Sequence, residues 1–134
     1  MEILGHNLVI TCLSIGNPHA VCILDSNVDE FPLVEVGKIV EKHEFFPNRI
    51  NFEIVNVLSR SKIRARIFER GAGETLSSGT GSTASASACR FNGLVDDRVE
   101  VILDGGNLDI SWDKNEMAML EGPSVEVFQG VWPE

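Results

Sequence analysis

Residues 79–89, GTGSTASASAC, contain no side chain larger than threonine or cysteine. A surface helix needs one apolar stripe of large residues, and this stretch has none to offer. It suits a helix crowded on every side, where small side chains let neighbouring backbone come close. The run continues through Arg90 and Phe91, so a helix over 79–91 is expected. Such a helix cannot stand alone, so the rest of the chain has to wrap it.

The remaining sequence supplies the wrapping. Residues 8–14 (LVITCLS) are rich in β-branched and apolar side chains and stop at Gly16-Asn17-Pro18-His19, a turn signal. Strands are expected over 20–24, 50–58 (INFEIVNVL) and 62–69 (KIRARIFE). In the last of these Arg64 and Arg66 share one face, and Ile63, Ala65 and Ile67 the other. Leu33, Val36, Gly37 and Val40 recur at helical spacing behind Pro32, predicting a short amphipathic helix over 32–43. Further strands are expected over 98–103, 108–112, 117–121 and 125–130, joined by hairpin turns at Asp104-Gly105-Gly106-Asn107 and Asp113-Lys114-Asn115. The fold class is therefore α+β, mostly antiparallel strands around a buried small-residue helix.

Composition narrows the partners. The chain is one domain of 134 residues, 43% hydrophobic, with 11 basic against 20 acidic residues and a net charge of −9. That charge argues against nucleic acid and anionic membranes. No apolar run reaches the length of a membrane helix, and the first segment, led by Glu2, does not read as a signal peptide. Three cysteines, Cys12, Cys22 and Cys89, lack metal-type spacing, so no metal is expected and a cytoplasmic location with free thiols is.

The chemistry concentrates in residues 69–82, ERGAGETLSSGTGS. This loop runs from a strand end into the start of the buried helix, where unpaired N–H groups attract carboxylate or phosphate. Ser78 either caps that helix or helps to surround an anion, and both readings stand. A Walker loop would need a lysine that is missing here. Gly79-Thr80-Gly81-Ser82-Thr83-Ala84 satisfies a dinucleotide pattern, but about ten loop residues separate it from the strand, and hairpins rather than crossover helices are expected to follow. Taken singly, His19 reads as a structural or surface histidine, Asn51 as an edge residue and Glu69-Arg70 as a surface pair.

Read in order, SIGNPHAV (14–21), RINFEIV (49–55) and ERGAGETLSSGTGSTASASA (69–88) closely resemble the C-terminal half of the diaminopimelate epimerase family. The resemblance runs from about residue 10 to about 130. It implies one of two similar lobes, each of antiparallel strands around a central helix. It also implies cofactor-free, PLP-independent two-base epimerisation at Cα of diaminopimelate (LL to meso), on the route to lysine and cell-wall precursors. In the family a cysteine from each lobe serves as base or acid, and facing helix N-termini hold the reacting carboxylate.

By that resemblance Asn17 and Asn51 hold substrate, Glu69 and Arg70 grip its distal amino-acid group, and His19 and Glu69 assist the thiol chemistry. Gly79 and Thr80 offer backbone amides to the reacting carboxylate. Ser78 occupies the place of the family's cysteine, and a hydroxyl is a far weaker acid than a thiol. The resemblance further implies an N-terminal lobe outside these 134 residues, with the tail, 123–134, pairing against it as a strand. Expected partners are a small amino-acid substrate, that lobe, and a second copy of the chain as a homodimer. Two other readings stay open: a related racemase or dehydratase with altered chemistry at Ser78, and a non-catalytic carboxylate-binding module.

Overall fold

A computed structural model of the chain describes residues 1–133. In chain order the elements are β1 (Glu2–Ile3), β2 (His6–Asn7), β3 (Ile10–Ser14), β4 (Pro18–Ile23), α1 (Leu33–Val40), β5 (Asn51–Ser59), β6 (Lys62–Glu69), β7 (Gly73–Thr75), α2 (Gly79–Phe91), β8 (Arg98–Leu103), β9 (Gly106–Trp112) and β10 (Ala118–Glu121), with a single 3-10 turn at Val28–Glu30. The α+β class and the wrapped helix are as expected.

One eight-stranded sheet runs β3-β4-β5-β6-β8-β9-β10, with β7 added against β6. It curls so far that α2 touches every strand along this path. That is why α2 is built from small residues: Gly81 through Ala86, then Ala88 and Cys89, are all buried. At Gly81 an added Cβ would stand 2.8 Å from Ile67 Cδ1, so even alanine there would require the Ile67 side chain to shift.

Most pairings are antiparallel, but β4 with β5 and β6 with β8 run parallel. Each parallel pair is joined through a helix, α1 for the first and α2 for the second. The expectation that hairpins alone follow the 69–82 loop is therefore corrected. Parallel neighbours need a long return connection, and α2 supplies one.

The two helices lie on opposite faces, giving two cores. Val21, Val55, Ile63, Ala65 and Ile67 pack with Ala84, Ala86 and Ala88 of α2. Ala20, Cys22, Phe52, Ile54 and Phe68 pack with Leu33, Val36 and Val40 of α1. Strands β4 and β5 are thus covered on both sides, and Asn51 is a buried residue of a central strand rather than an edge residue. α1 sits close because residue 37 is glycine: a Cβ there would lie 2.6 Å from Phe68 Cγ.

Strand alternation on β6 is as read. Its outward arginines tie the 28–31 turn to the sheet: Arg64 bridges Asp29 and Asp104, and Arg66 donates to the Val28 and Phe31 carbonyls and pairs with Glu74. The β1–β2 ribbon and β7 were not foreseen; two or three residues are too few to carry a periodic signal.

The tail departs from expectation. Residues 125–130 alternate apolar and polar, yet 122–133 form no strand. Alternation prepares a face but supplies no partner edge, and Val125, Val127, Phe128, Val131 and Trp132 stand exposed. Glu134, the last residue of the expected tail strand, lies outside the described residues. Among the described residues no helix is long and apolar enough to cross a membrane.

Candidate active site

Four separate segments converge at the N-terminal end of α2. The first is the β3–β4 turn. Gly16 has φ +88, a left-handed conformation that glycine adopts without steric penalty, and this turn presents Asn17 before Pro18 opens β4. Asn17 Oδ1 lies 3.0 Å from His19 Nε2. An amide oxygen only accepts, so Nε2 carries a hydrogen.

The second segment is the start of β5. Asn51 Nδ2 donates to the Pro18 carbonyl at 2.9 Å, and its Oδ1 accepts from the Arg70 amide at 2.8 Å. One buried side chain therefore links the 17–19 turn to the end of β6. Two residues on, Glu53 Oε1 lies 2.6 Å from His19 Nδ1. Both side chains are buried, at 1% exposure for His19 and 0% for Glu53. Burial pushes the Glu53 carboxyl up to about 7, the facing His19 pulls it down, and the charge of Glu69 adds to the rise.

The third segment is the end of β6. Glu69 accepts from the Thr75 hydroxyl at 2.8 Å across the β6–β7 pair, leaving Oε2 without a partner among the described residues. Arg70 is exposed, with one guanidinium N–H on the Asn48 carbonyl at 2.9 Å.

The fourth segment is the helix start. Ser78 is extended (φ −149, ψ 122) and its hydroxyl accepts from the Gly81 amide at 3.2 Å, so the capping role is real. Gly79 and Thr80 are exposed, and their N–H groups precede the first amide engaged by the helix. Thr83 turns its hydroxyl back to the Gly79 carbonyl at 2.8 Å.

The structure thus joins Asn17 to His19, and Asn51 to the Pro18 carbonyl and the Arg70 amide, by hydrogen bonds, with Glu69 near enough for its charge to act on Glu53, beside the loop that leads through β7 to Ser78, Gly79 and Thr80. Asn51 and His19 are more deeply engaged in the framework than sequence reading suggests. Glu53 was missed altogether. Its signal was an acid between Phe52 and Ile54 on a strand too apolar to have a wet face.

None of the native thiols replaces a nucleophile here. Cys22 and Cys89 are buried, and burial pushes Cys89 up to about 12; the Cys12 thiol is also raised by partial burial. Among the described residues no cluster of histidine, cysteine and acid side chains could hold a metal. A cleft of about 730 Å³ opens at the other end of α2, but its Arg90 is already committed to Asp97 and Glu116.

The sequence pattern of the diaminopimelate epimerase family matches residues 11–127. The chain belongs to the diaminopimelate epimerase family. It is 49% identical over 130 residues to a diaminopimelate epimerase of Magnetococcus marinus, an alignment covering 97% of this chain and 46% of that protein. To the diaminopimelate epimerase of Acetivibrio thermocellus it is 46% identical over 131 residues, with the same coverage. The chain spans a little under half the length of these relatives. Among solved structures it resembles phenazine biosynthesis proteins of the PhzF family. The one from Bacillus anthracis has a TM-score of 0.56 at 21% identity, over 84% of this chain and 38% of that one. The one from Enterococcus faecalis has a TM-score of 0.57 at 16% identity, over 80% and 40%. These two support the fold alone.

Proposed function

We propose that the chain is one lobe of a PLP-independent diaminopimelate epimerase, contributing half of a site in which a proton is exchanged at Cα. The observation that carries this reading is the set of polar groups left unspent at the mouth of α2. Asn17 Nδ2, the remaining Arg70 N–H groups and the Gly79 and Thr80 amides are donors suited to carboxylates, and Glu69 Oε2 is an acceptor suited to an ammonium group. A diamino dicarboxylic acid offers the complement at each end.

In this reading Gly79 and Thr80 hold the reacting carboxylate at the positive end of α2, where charge delocalised from Cα is stabilised by fixed N–H groups. Asn17 and Asn51 orient the substrate, Glu69 and Arg70 grip the distal group, and His19 acts next to the reacting carbon. Ser78 stands where a proton carrier belongs. Its hydroxyl is a weak base for an α-hydrogen, so the reading assigns proton transfer in the native chain chiefly to the opposing lobe. The exposed tail fits a strand partner on that lobe, and cytoplasmic lysine biosynthesis is the setting that suits such a substrate.

The test is deuterium incorporation from D₂O at Cα of LL-diaminopimelate, followed by mass spectrometry. The 134-residue chain alone is expected to incorporate none, and the same chain joined to an N-terminal epimerase lobe is expected to incorporate it. Turnover by the chain alone, or a joined protein that neither binds diaminopimelate nor exchanges its Cα hydrogen, overturns the proposal.

A further inference from the structure

We infer that Glu53 is a positioning residue for His19, and that the two form a buried unit holding one exchangeable proton between Nδ1 and Oε1. The link to catalysis rests on the epimerase reading above; the pairing itself does not.

Three observations carry it. The Nδ1–Oε1 separation is 2.6 Å between side chains that are almost wholly buried, so no water competes for the contact. Asn17 Oδ1 occupies the Nε2 side and requires a hydrogen there. The proton between Nδ1 and Oε1 is then the one variable in the unit: on nitrogen it gives an imidazolium–carboxylate pair, on oxygen a neutral imidazole and a carboxylic acid. Finally, Glu53 Oε2 is buried with no hydrogen-bond partner among the described residues. A carboxylate oxygen buried without a hydrogen-bond partner is expensive, whereas the carbonyl oxygen of the acid in the same place is much less so. The two forms are thereby brought close in energy.

The surroundings preserve this balance. From β6, Glu69 adds negative charge that favours the protonated form. From α2 the buried polar side chains are Ser82, Thr83 and Ser85, none of which titrates near neutrality, and Cys89 is held protonated by burial. From β4 and β5 the same face continues as Val21 and Val55. His19 is therefore held by Asn17 on one nitrogen and Glu53 on the other, at the joint of the turn and the two central strands.

The experiment labels histidine with ¹⁵N and glutamate with ¹³C in the full 134-residue chain, which has only three histidines. In the native chain His19 Nε2 is expected to stay protonated. Nδ1 and the Glu53 carboxyl carbon are expected to shift together as pH crosses neutrality. Glu53→Gln is expected to abolish that joint movement while leaving Nε2 protonated, since the amide can donate to Nδ1. A Glu53 carbon fixed at its ionised position from about pH 5.5 to 8.5, in the range around the usual histidine value, overturns the proposal, as does a Glu53→Gln variant that titrates like the native chain. Should that variant not fold, the native titration decides alone. In the two-lobed protein, Glu53→Gln is expected to lower kcat for Cα exchange on the order of 10²-fold with KM little changed, the signature of a displaced reacting group rather than lost binding. If the native two-lobed protein exchanges nothing, the epimerase reading falls, while the titration still decides the pair.

Discussion

Replacing Ser78 by cysteine tests the electrostatics of the site directly. Ser78 is the half-buried N-cap of α2, with its hydroxyl on the Gly81 amide. A charge near a helix N-terminus gains about 0.3–1 kcal/mol when exposed and up to about 2 kcal/mol when partly buried. At about 1.36 kcal/mol per pKa unit, a gain of about 1–2 kcal/mol lowers a thiol by about one unit. The nearby Glu69 carboxylate works against part of that. Starting from about 8.5, the introduced thiol should titrate between about 7.5 and 8. The assay is the iodoacetamide alkylation rate against pH, read by mass spectrometry on the peptide containing position 78. Reading that peptide alone separates the introduced thiol from the exposed Cys12 and from the buried Cys22 and Cys89. Ser78→Ala isolates the cap. Its single bond at 3.2 Å is long, so a loss of about 0.5–1 kcal/mol is expected, a few degrees in Tm. In the chain joined to an N-terminal epimerase lobe, Ser78→Cys should raise Cα exchange by about 10²–10⁴-fold, the usual worth of a placed acid or base. A midpoint at or above 8.5 would mean that the end of α2 exerts no useful field at position 78, and the assignment of Gly79 and Thr80 to the reacting carboxylate would lose its physical basis.

Gly37→Ala should lower the urea midpoint with little change in m. The new Cβ meets Phe68, which is pinned in β6, and overpacking of about 1–3 kcal/mol exceeds the gain in helix propensity of about 1 kcal/mol; an unchanged or higher midpoint refutes this. Glu53 has a folded pKa above its unfolded one, so the folded state holds this proton more tightly and the associated stability is complete below about 4.5 and lost as pH rises through about 7. Denaturation across that window should show the loss in the native chain and a flatter profile in Glu53→Gln; parallel profiles would exclude the burial effect. Deleting residues 123–134 should leave Tm within about 1 °C, because the described part of that tail buries nothing, and should reduce self-association in sedimentation velocity, because its exposed apolar side chains go with it. A large fall in Tm, or undiminished association, would show that the tail packs on the lobe or that another surface drives contact.

What was legible in the sequence and what was not divide along one physical line. The helix over 79–91 could be read because smallness all round has few explanations other than encirclement. The faces of β6 could be read because alternation is local: Arg64 and Arg66 must point away from Ile63 and Ile67. Partners are a different matter. Nothing in residues 18–23 or 51–59 says that they lie side by side and parallel, since pairing at that separation depends on where α1 carries the chain. The same gap misplaced Asn51, which looks like a strand end and is a clamp between two others. It also left residues 125–130 looking like a strand when no edge of this lobe receives them. Glu53 shows most clearly how a sequence can be read further. Alternation alone would send an acid on a strand to the solvent side, and here the opposite face is already claimed by Phe52 and Ile54, which pack under α1. With Val55 packing toward α2 on Glu53's own side, the strand has no wet face left. An ionisable side chain at such a position needs a partner, and a histidine placed just after a turn, on a neighbouring apolar strand, is the residue able to share a proton with it. His19 meets that description thirty-four positions earlier in the chain.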